Sequence, residues 1–345
     1  MSIGLADNTR PSQRRRGTER TEHRFDLSLS ENPFPPLPSV LRAVNETLAQ
    51  ANRYPEFLPR RLPRLIAGHL GVEPDQVIVG AGATGVAMQI IQSLTGRGDE
   101  VVFGAPTFDG YPIMAGMAEL ETVPVPLDKA GNQDVWAMVR AINKRTGLVV
   151  VCRPHNPTGT VLGAAELKAF LCAVPARVPV ILDEAYVEFL GAADHIDPLA
   201  LLARHPNLLV LRSFSKAYGL AGLRIGYAFG RRELAARVRK LQLPFGVPAA
   251  AVAAVAASYA AQPELAARTL RITTERETLR NALRRCGIAV PRSHANFLYL
   301  PGPGVATALR RAGIAAKAYP DGSARIAVGD PAADTAVLQA LESLR

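Results

Sequence analysis

Long apolar runs are missing from this chain. The stretch of lowest polarity, Ala249 to Ala261, spans 13 residues, whereas a bilayer needs about 20. A buried helix is expected there, and no membrane span. Cysteine is scarce too. The 3 cysteines, Cys152, Cys172 and Cys286, form no CxxC pair, which argues against a disulfide framework and against structural zinc. The 6 histidines are scattered without an HExxH, so no metal site is expected. No apolar h-region precedes Phe25, which excludes a signal peptide there, and a cytoplasmic location is the default. Lysine is rare as well: 34 of the 40 basic residues are arginine, and the net charge is +10. The arginines are spread along the chain, with no aromatic interleaving and no nucleic-acid motif. Compositional bias of the source genome explains them as readily as selection for phosphate binding does, and no nucleic-acid partner is expected. One local concentration exists: Arg10, Arg14, Arg15, Arg16, Arg20 and Arg24 face only Asp7, Glu19 and Glu22. Residues 1–24 are expected to form a disordered leader.

What is present suits a folded protein. The chain has 345 residues, 48% of them hydrophobic, enough for two domains with a sizeable core. From about residue 60, short apolar runs alternate with helical stretches. The runs are Gln76–Val79, Val101–Phe103, Thr122–Val125, Leu148–Cys152, Val178–Leu182, Leu208–Leu211 and Leu223–Phe229. Runs without polar alternation, separated by helices, imply strands buried on both faces: an α/β fold around a mostly parallel sheet. After Arg232 three helical stretches lead into a small strand–helix–strand unit, the pattern of an α+β domain. The expected division is an arm and helix over 25–50, a large domain over 51–232 and a small one over 233–345. The helix from Ser39 could pack with either.

Several motifs fall where such a sheet binds ligands. Gly80-Ala81-Gly82-Ala83-Thr84-Gly85 reads GxGxxG between a strand and a helix. A nicotinamide site would need an acid at the end of the next strand. Asp99 and Glu100 instead precede that strand, at the wrong edge for a ribose. What remains is a helix N-terminus able to receive a phosphate, or simply a tight turn. Asp183 closes the apolar run Val180-Ile181-Leu182; Lys216, in Ser213-Phe214-Ser215-Lys216, follows the next run; Asn156 follows the run ending at Cys152. Taken singly, each has a structural explanation. Together they describe an anion pocket, a buried acid and a lysine nucleophile. A carbonyl cofactor with a phosphate and a basic ring nitrogen needs this set, and pyridoxal 5'-phosphate fits it.

The motifs Glu31-Asn32-Pro33-Phe34, Asn52-Arg53-Tyr54-Pro55, Asn156-Pro157-Thr158-Gly159, Asp183-Glu184-Ala185-Tyr186 and Ser215-Lys216-Ala217-Tyr218-Gly219-Leu220-Ala221-Gly222-Leu223-Arg224 occur in that order. From about Leu27 onward the chain resembles fold-type I pyridoxal-phosphate aminotransferases of the histidinol-phosphate aminotransferase family. It is most similar to the branch acting on aromatic amino acids such as phenylalanine. The resemblance implies a fold-type I transferase and a ping-pong transfer of an amino group from an L-amino acid, through a Lys216 aldimine, to 2-oxoglutarate. Lys216 would also be the proton-transfer base. Asp183 would partner the ring nitrogen, with Asn156 and Tyr186 on the phenolic oxygen and Phe108 stacked on the ring. The backbone of Ala83 and Thr84, with Ser213, Ser215 and Arg224, would hold the phosphate. Tyr54 would reach the phosphate of a neighbouring subunit, which implies a homodimer. Arg325 would grip the substrate carboxylate, with Asn32 and Lys317 also facing substrate. Lys317 stands where histidinol-phosphate enzymes carry an arginine for the substrate's own phosphate. Phe108 replaces a tyrosine, and Ala81–Thr84 removes two polar side chains. These departures point to an apolar or aromatic donor. Histidinol phosphate is the alternative, and decarboxylation a more distant one.

Overall fold

The computed structural model describes residues 23–342; most of the expected leader therefore lies outside the described residues. A seven-stranded sheet forms the centre. Its order is Val77–Ala81, Ile225–Gly230, Leu208–Ser213, Val180–Asp183, Thr146–Cys152, Glu100–Ala105 and Glu121–Pro126. Five neighbouring strands run parallel, from Leu208–Ser213 to Glu121–Pro126. Ile225–Gly230 runs antiparallel to both of its neighbours. Valine, leucine and isoleucine fill the inner strands because helices cover both faces, and two apolar clusters lie on opposite sides of the sheet. The architecture is the expected α/β one.

A smaller antiparallel sheet is built from Lys317–Ala318, Ala324–Ala327 and Phe297–Leu300. Helices Val305–Arg311 and Pro331–Glu342 pack on it, together with the end of the long helix Gln262–Arg285, around a third cluster that includes Leu279, Leu298 and Val337.

Residues 25–32 bind the two assemblies together. Phe25–Asp26 pairs in parallel with Ile314–Ala315 beside the small sheet. A few residues on, the chain crosses the C-terminal edge of the large sheet. It then enters helix Pro38–Leu48, whose Pro38 sits at the start of the helix, where a missing N–H costs nothing. That helix lies along Ala249–Ala260, so this early segment packs with both parts. Arg61–Leu70, the next helix, has Gly71 as a left-handed cap.

Candidate active site

Parallel strands present their last residues and following loops to one edge, and the side chains expected there converge on one cleft of about 490 Å³. Asp183 is the final residue of its strand and 9% exposed. Its Oδ2 accepts from the Tyr111 hydroxyl at 2.6 Å and its Oδ1 from the Ala185 N–H at 3.0 Å. Burial leaves the carboxyl above its ordinary range, with the Tyr111 and Ala185 donors opposing the shift. The neighbouring Glu184 points to the opposite side, into a buried pair with Arg212 at 2.7 Å.

Lys216 is half-buried. Its Nζ donates to Ser30 Oγ at 2.9 Å and to the Ser30 carbonyl at 3.1 Å, and sits 5.5 Å from the centre of the Tyr186 ring. The Tyr186 hydroxyl lies 3.1 Å from Ser30 Oγ and 3.4 Å from Asn156 Nδ2. Asn156 Oδ1 accepts in turn from Arg325 Nη1 at 2.7 Å. The other end of the Arg325 guanidinium donates to the Ser28 carbonyl at 2.6 Å, and its Nε has no partner among the described residues. A short polar relay therefore runs from the lysine to the arginine.

The opposite end of the cleft is built for an anion. Helix Gly82–Leu94 begins there, and Ala83 and Thr84 of its first turn line the cavity, an N-terminus that favours an anion. Arg224 adopts φ +52°, unusual for a residue with a side chain, and its carbonyl accepts from the Gly82 N–H at 3.0 Å. Its guanidinium lies so close to Gly82 that a Cβ there would meet Nη2 at 2.2 Å. Ser213 and Ser215 complete this end; the Ser215 N–H donates to Ser213 Oγ at 3.0 Å.

Phe108 and Lys317 also line the cavity, and Lys317 Nζ is ion-paired to Asp109 Oδ2 beside Phe108. Two expected residues are elsewhere. Asn32 does not line the cleft: its Nδ2 donates to the carbonyls of Lys216 and Ala217 at 3.1 and 3.0 Å. It holds the lysine's backbone instead of facing a substrate, because both ends of its amide are engaged, the Oδ1 by the Phe34 N–H. Tyr54 is 84% exposed and packs on Phe245 outside its own chain's cleft. Ser30, Asp109, Tyr111 and Tyr319 belong to the site without having been expected. Each lies near an expected residue: Ser30 adjoins the Glu31-Asn32-Pro33 motif, Asp109 and Tyr111 follow Phe108, and Tyr319 follows Lys317.

The donor set can be tested against pyridoxal phosphate. A helix N-terminus with an arginine beside it suits a dianionic phosphate, a buried carboxylate suits a pyridinium, and a primary amine between them suits an aldehyde. The residues fit that group. The family profile of aminotransferase class I and II matches residues 22–341. The chain belongs to that family. Its members depend on pyridoxal phosphate, and this protein is an aminotransferase. It is 46% identical over 286 residues to an aromatic amino acid aminotransferase of Cutibacterium acnes, covering 83% of this chain and 81% of that protein. With the aromatic amino acid aminotransferase of Streptomyces coelicolor it shares 41% over 325 residues, covering 93% and 90%. The histidinol-phosphate aminotransferase of Sinorhizobium meliloti, solved with pyridoxal-5'-phosphate, superposes with a TM-score of 0.87 at 28% identity, over 94% of this chain and 91% of that one. No described helix of the aminotransferase is long and apolar enough to cross a membrane.

Proposed function

We propose that this aminotransferase moves the amino group of an aromatic L-amino acid to 2-oxoglutarate by a ping-pong mechanism. The observation that carries this is the convergence of the Lys216 ammonium, the buried Asp183 carboxylate and the guanidinium groups of Arg224 and Arg325 on a single cleft. Bound pyridoxal phosphate supplies an electrophilic carbonyl and a ring that accepts electrons from the substrate's Cα. Arg224, Ser213, Ser215 and the N–H groups of Ala83 and Thr84 would hold the phosphate. Asp183 would keep negative charge at the ring nitrogen, Asn156 and Tyr186 would donate to the phenolic oxygen, and Phe108 would offer its face to the ring. Arg325 would take the α-carboxylate of donor and acceptor alike, a planar fork matching a planar anion. Lys216 Nζ, withdrawn from Ser30, would take the Cα proton and return it one bond along.

An aromatic donor is supported by the lining of the cleft. Asp109 neutralises Lys317, and Phe108, Leu29 and Tyr319 offer apolar surface around that pair. The names of the bacterial relatives agree. The second donor, histidinol phosphate, is favoured only by Lys317 itself, a cation in the cleft of the kind a substrate phosphate needs. Tyr54, Phe57 and Phe245 form an exposed aromatic group that supports a homodimer, with Tyr54 delivered to a neighbouring cleft.

The test follows the visible absorption of bound pyridoxal phosphate during additions of L-phenylalanine, L-histidinol phosphate or L-aspartate, each without oxo acid. Phenylalanine should convert the cofactor to its pyridoxamine form most efficiently. Preference for histidinol phosphate by a wide margin would replace the aromatic assignment.

A further inference from the structure

Helix Gly110–Met117 turns Tyr111, Met114 and Ala115 toward the large sheet. Tyr111 is 2% exposed within an apolar cluster, and phenylalanine would fill the same space. The hydroxyl is therefore the part that needs a reason. It donates to Asp183 Oδ2 at 2.6 Å, across 72 residues of sequence, within the short range of bonds to an ionised acceptor. With the Ala185 N–H on Oδ1, two donors from different elements fix the plane of the carboxylate.

We propose that Tyr111 is the positioning residue of Asp183: its hydroxyl holds the carboxylate ionised and oriented to receive the cofactor's ring nitrogen. The proposal rests on the assignment of Asp183 to that nitrogen. Burial alone favours the neutral acid, which cannot serve a pyridinium. Against burial stand the Tyr111 and Ala185 donors and the nearby Lys216 ammonium; the charge of Glu184 works with it. The Cys152 thiol, its Sγ 4.0 Å from Oδ2, faces Asp183 from the next strand. Burial pushes both that thiol and the Tyr111 phenol up from their ordinary values, and the charge of Asp183 adds to each shift. Both stay protonated and act as donors.

The experiment titrates apo-protein with pyridoxal phosphate across the range from about pH 5 to 9 in wild type, Tyr111→Phe and Asp183→Asn. Removing the donor raises the pH below which Asp183 loses its charge. The acid limb of cofactor affinity should therefore move up by about one pH unit in Tyr111→Phe. Titration of the cofactor's own groups is common to both proteins and cancels in the difference. A profile that superimposes on wild type overturns the proposal. So does uniform weakening with no shift, the signature of lost packing. If Asp183→Asn leaves affinity unchanged, the assignment of Asp183 falls and the proposal with it; if it weakens binding while Tyr111→Phe shows no shift, the proposal alone falls. Should Tyr111→Phe fail to fold, 2,3-difluorotyrosine placed at 111 keeps the shape and donates more strongly. Its acid limb should move down, and an unmoved limb refutes the positioning role.

Discussion

Gly226→Ala tests whether the anion end of the cleft depends on contact between helix and sheet. Gly226 lies in Ile225–Gly230, a strand buried throughout and hydrogen-bonded on both edges. A Cβ there would stand 2.2 Å from Ala83 N and from the carbonyl carbon of Gly82, and 2.7 Å from Gly82 O. Carbon atoms normally rest about 3.5–4.0 Å apart, so one partner has to retreat by about 1 Å or more. The strand is held on both sides, and Gly82 is backed by the Arg224 guanidinium. The displacement therefore falls on the first turn of the helix, whose N–H groups are proposed to hold the phosphate. Overpacking of this kind costs about 1–3 kcal/mol of stability. Misplaced donors should weaken pyridoxal phosphate binding at least about tenfold, a loss near 1.4 kcal/mol. Fluorescence titration of apo-protein with the cofactor gives the affinity, and thermal unfolding gives the stability. Gly68→Ala is the control: nothing lies within 4 Å of its Cβ position on the exposed face of helix Arg61–Leu70, and it should be neutral or slightly stabilising. If Gly226→Ala binds the cofactor as tightly as wild type, the contact does not set the phosphate site.

Two further outcomes follow from charged groups. Asp109→Asn releases Lys317; because both side chains are partly exposed, the gain is modest, and kcat/KM for donors with phosphate or carboxylate side chains should rise about three- to fivefold relative to phenylalanine. An unchanged ratio would mean that Asp109 does not mask the lysine. Glu188, its Oε2 buried without a partner among the described residues, is pushed up to about 7 by burial. Its contribution to stability is thus present below the ordinary carboxylate range and lost as pH rises through about 7. Glu188→Gln should therefore reduce the stability difference between about pH 5 and pH 8 by about 1–3 kcal/mol; equal falls in Tm for both proteins would contradict this.

Much of the fold is legible in sequence because doubly buried strands leave uninterrupted apolar runs, and Lys216, Asp183 and Asn156 sit just where such runs end. The reversed strand Ile225–Gly230 was less visible, since a strand buried on both faces looks alike in either direction. A hint existed: only residues 214–224 separate it from Leu208–Ser213, too few for the helix that a parallel crossover requires. Short helices such as Val135–Ala141 and Pro198–Arg204 carry less than two full periods of pattern. Tyr111 escapes for a different reason. Its partner is 72 residues away, and a tyrosine on an apolar helix face looks like any other core aromatic until the fold delivers Asp183 to it. Asn32 lies in a recognisable motif, yet its type alone does not separate an amide that binds substrate from one that ties down the backbone of Lys216.

The eight residues from Phe25 to Asn32 make this enzyme hard to divide. They give a strand to Ile314–Ala315, an acceptor to Arg325, three acceptors to Lys216 and a clamp to the backbone that carries it. A fragment holding only the large sheet would keep the lysine and lose its perch. A fragment starting after Asn32 would leave both the guanidinium and the ammonium short of partners. Grafting, circular permutation or trimming of the chain therefore has to carry this segment along, because Lys216 and Arg325 both draw hydrogen-bond partners from it.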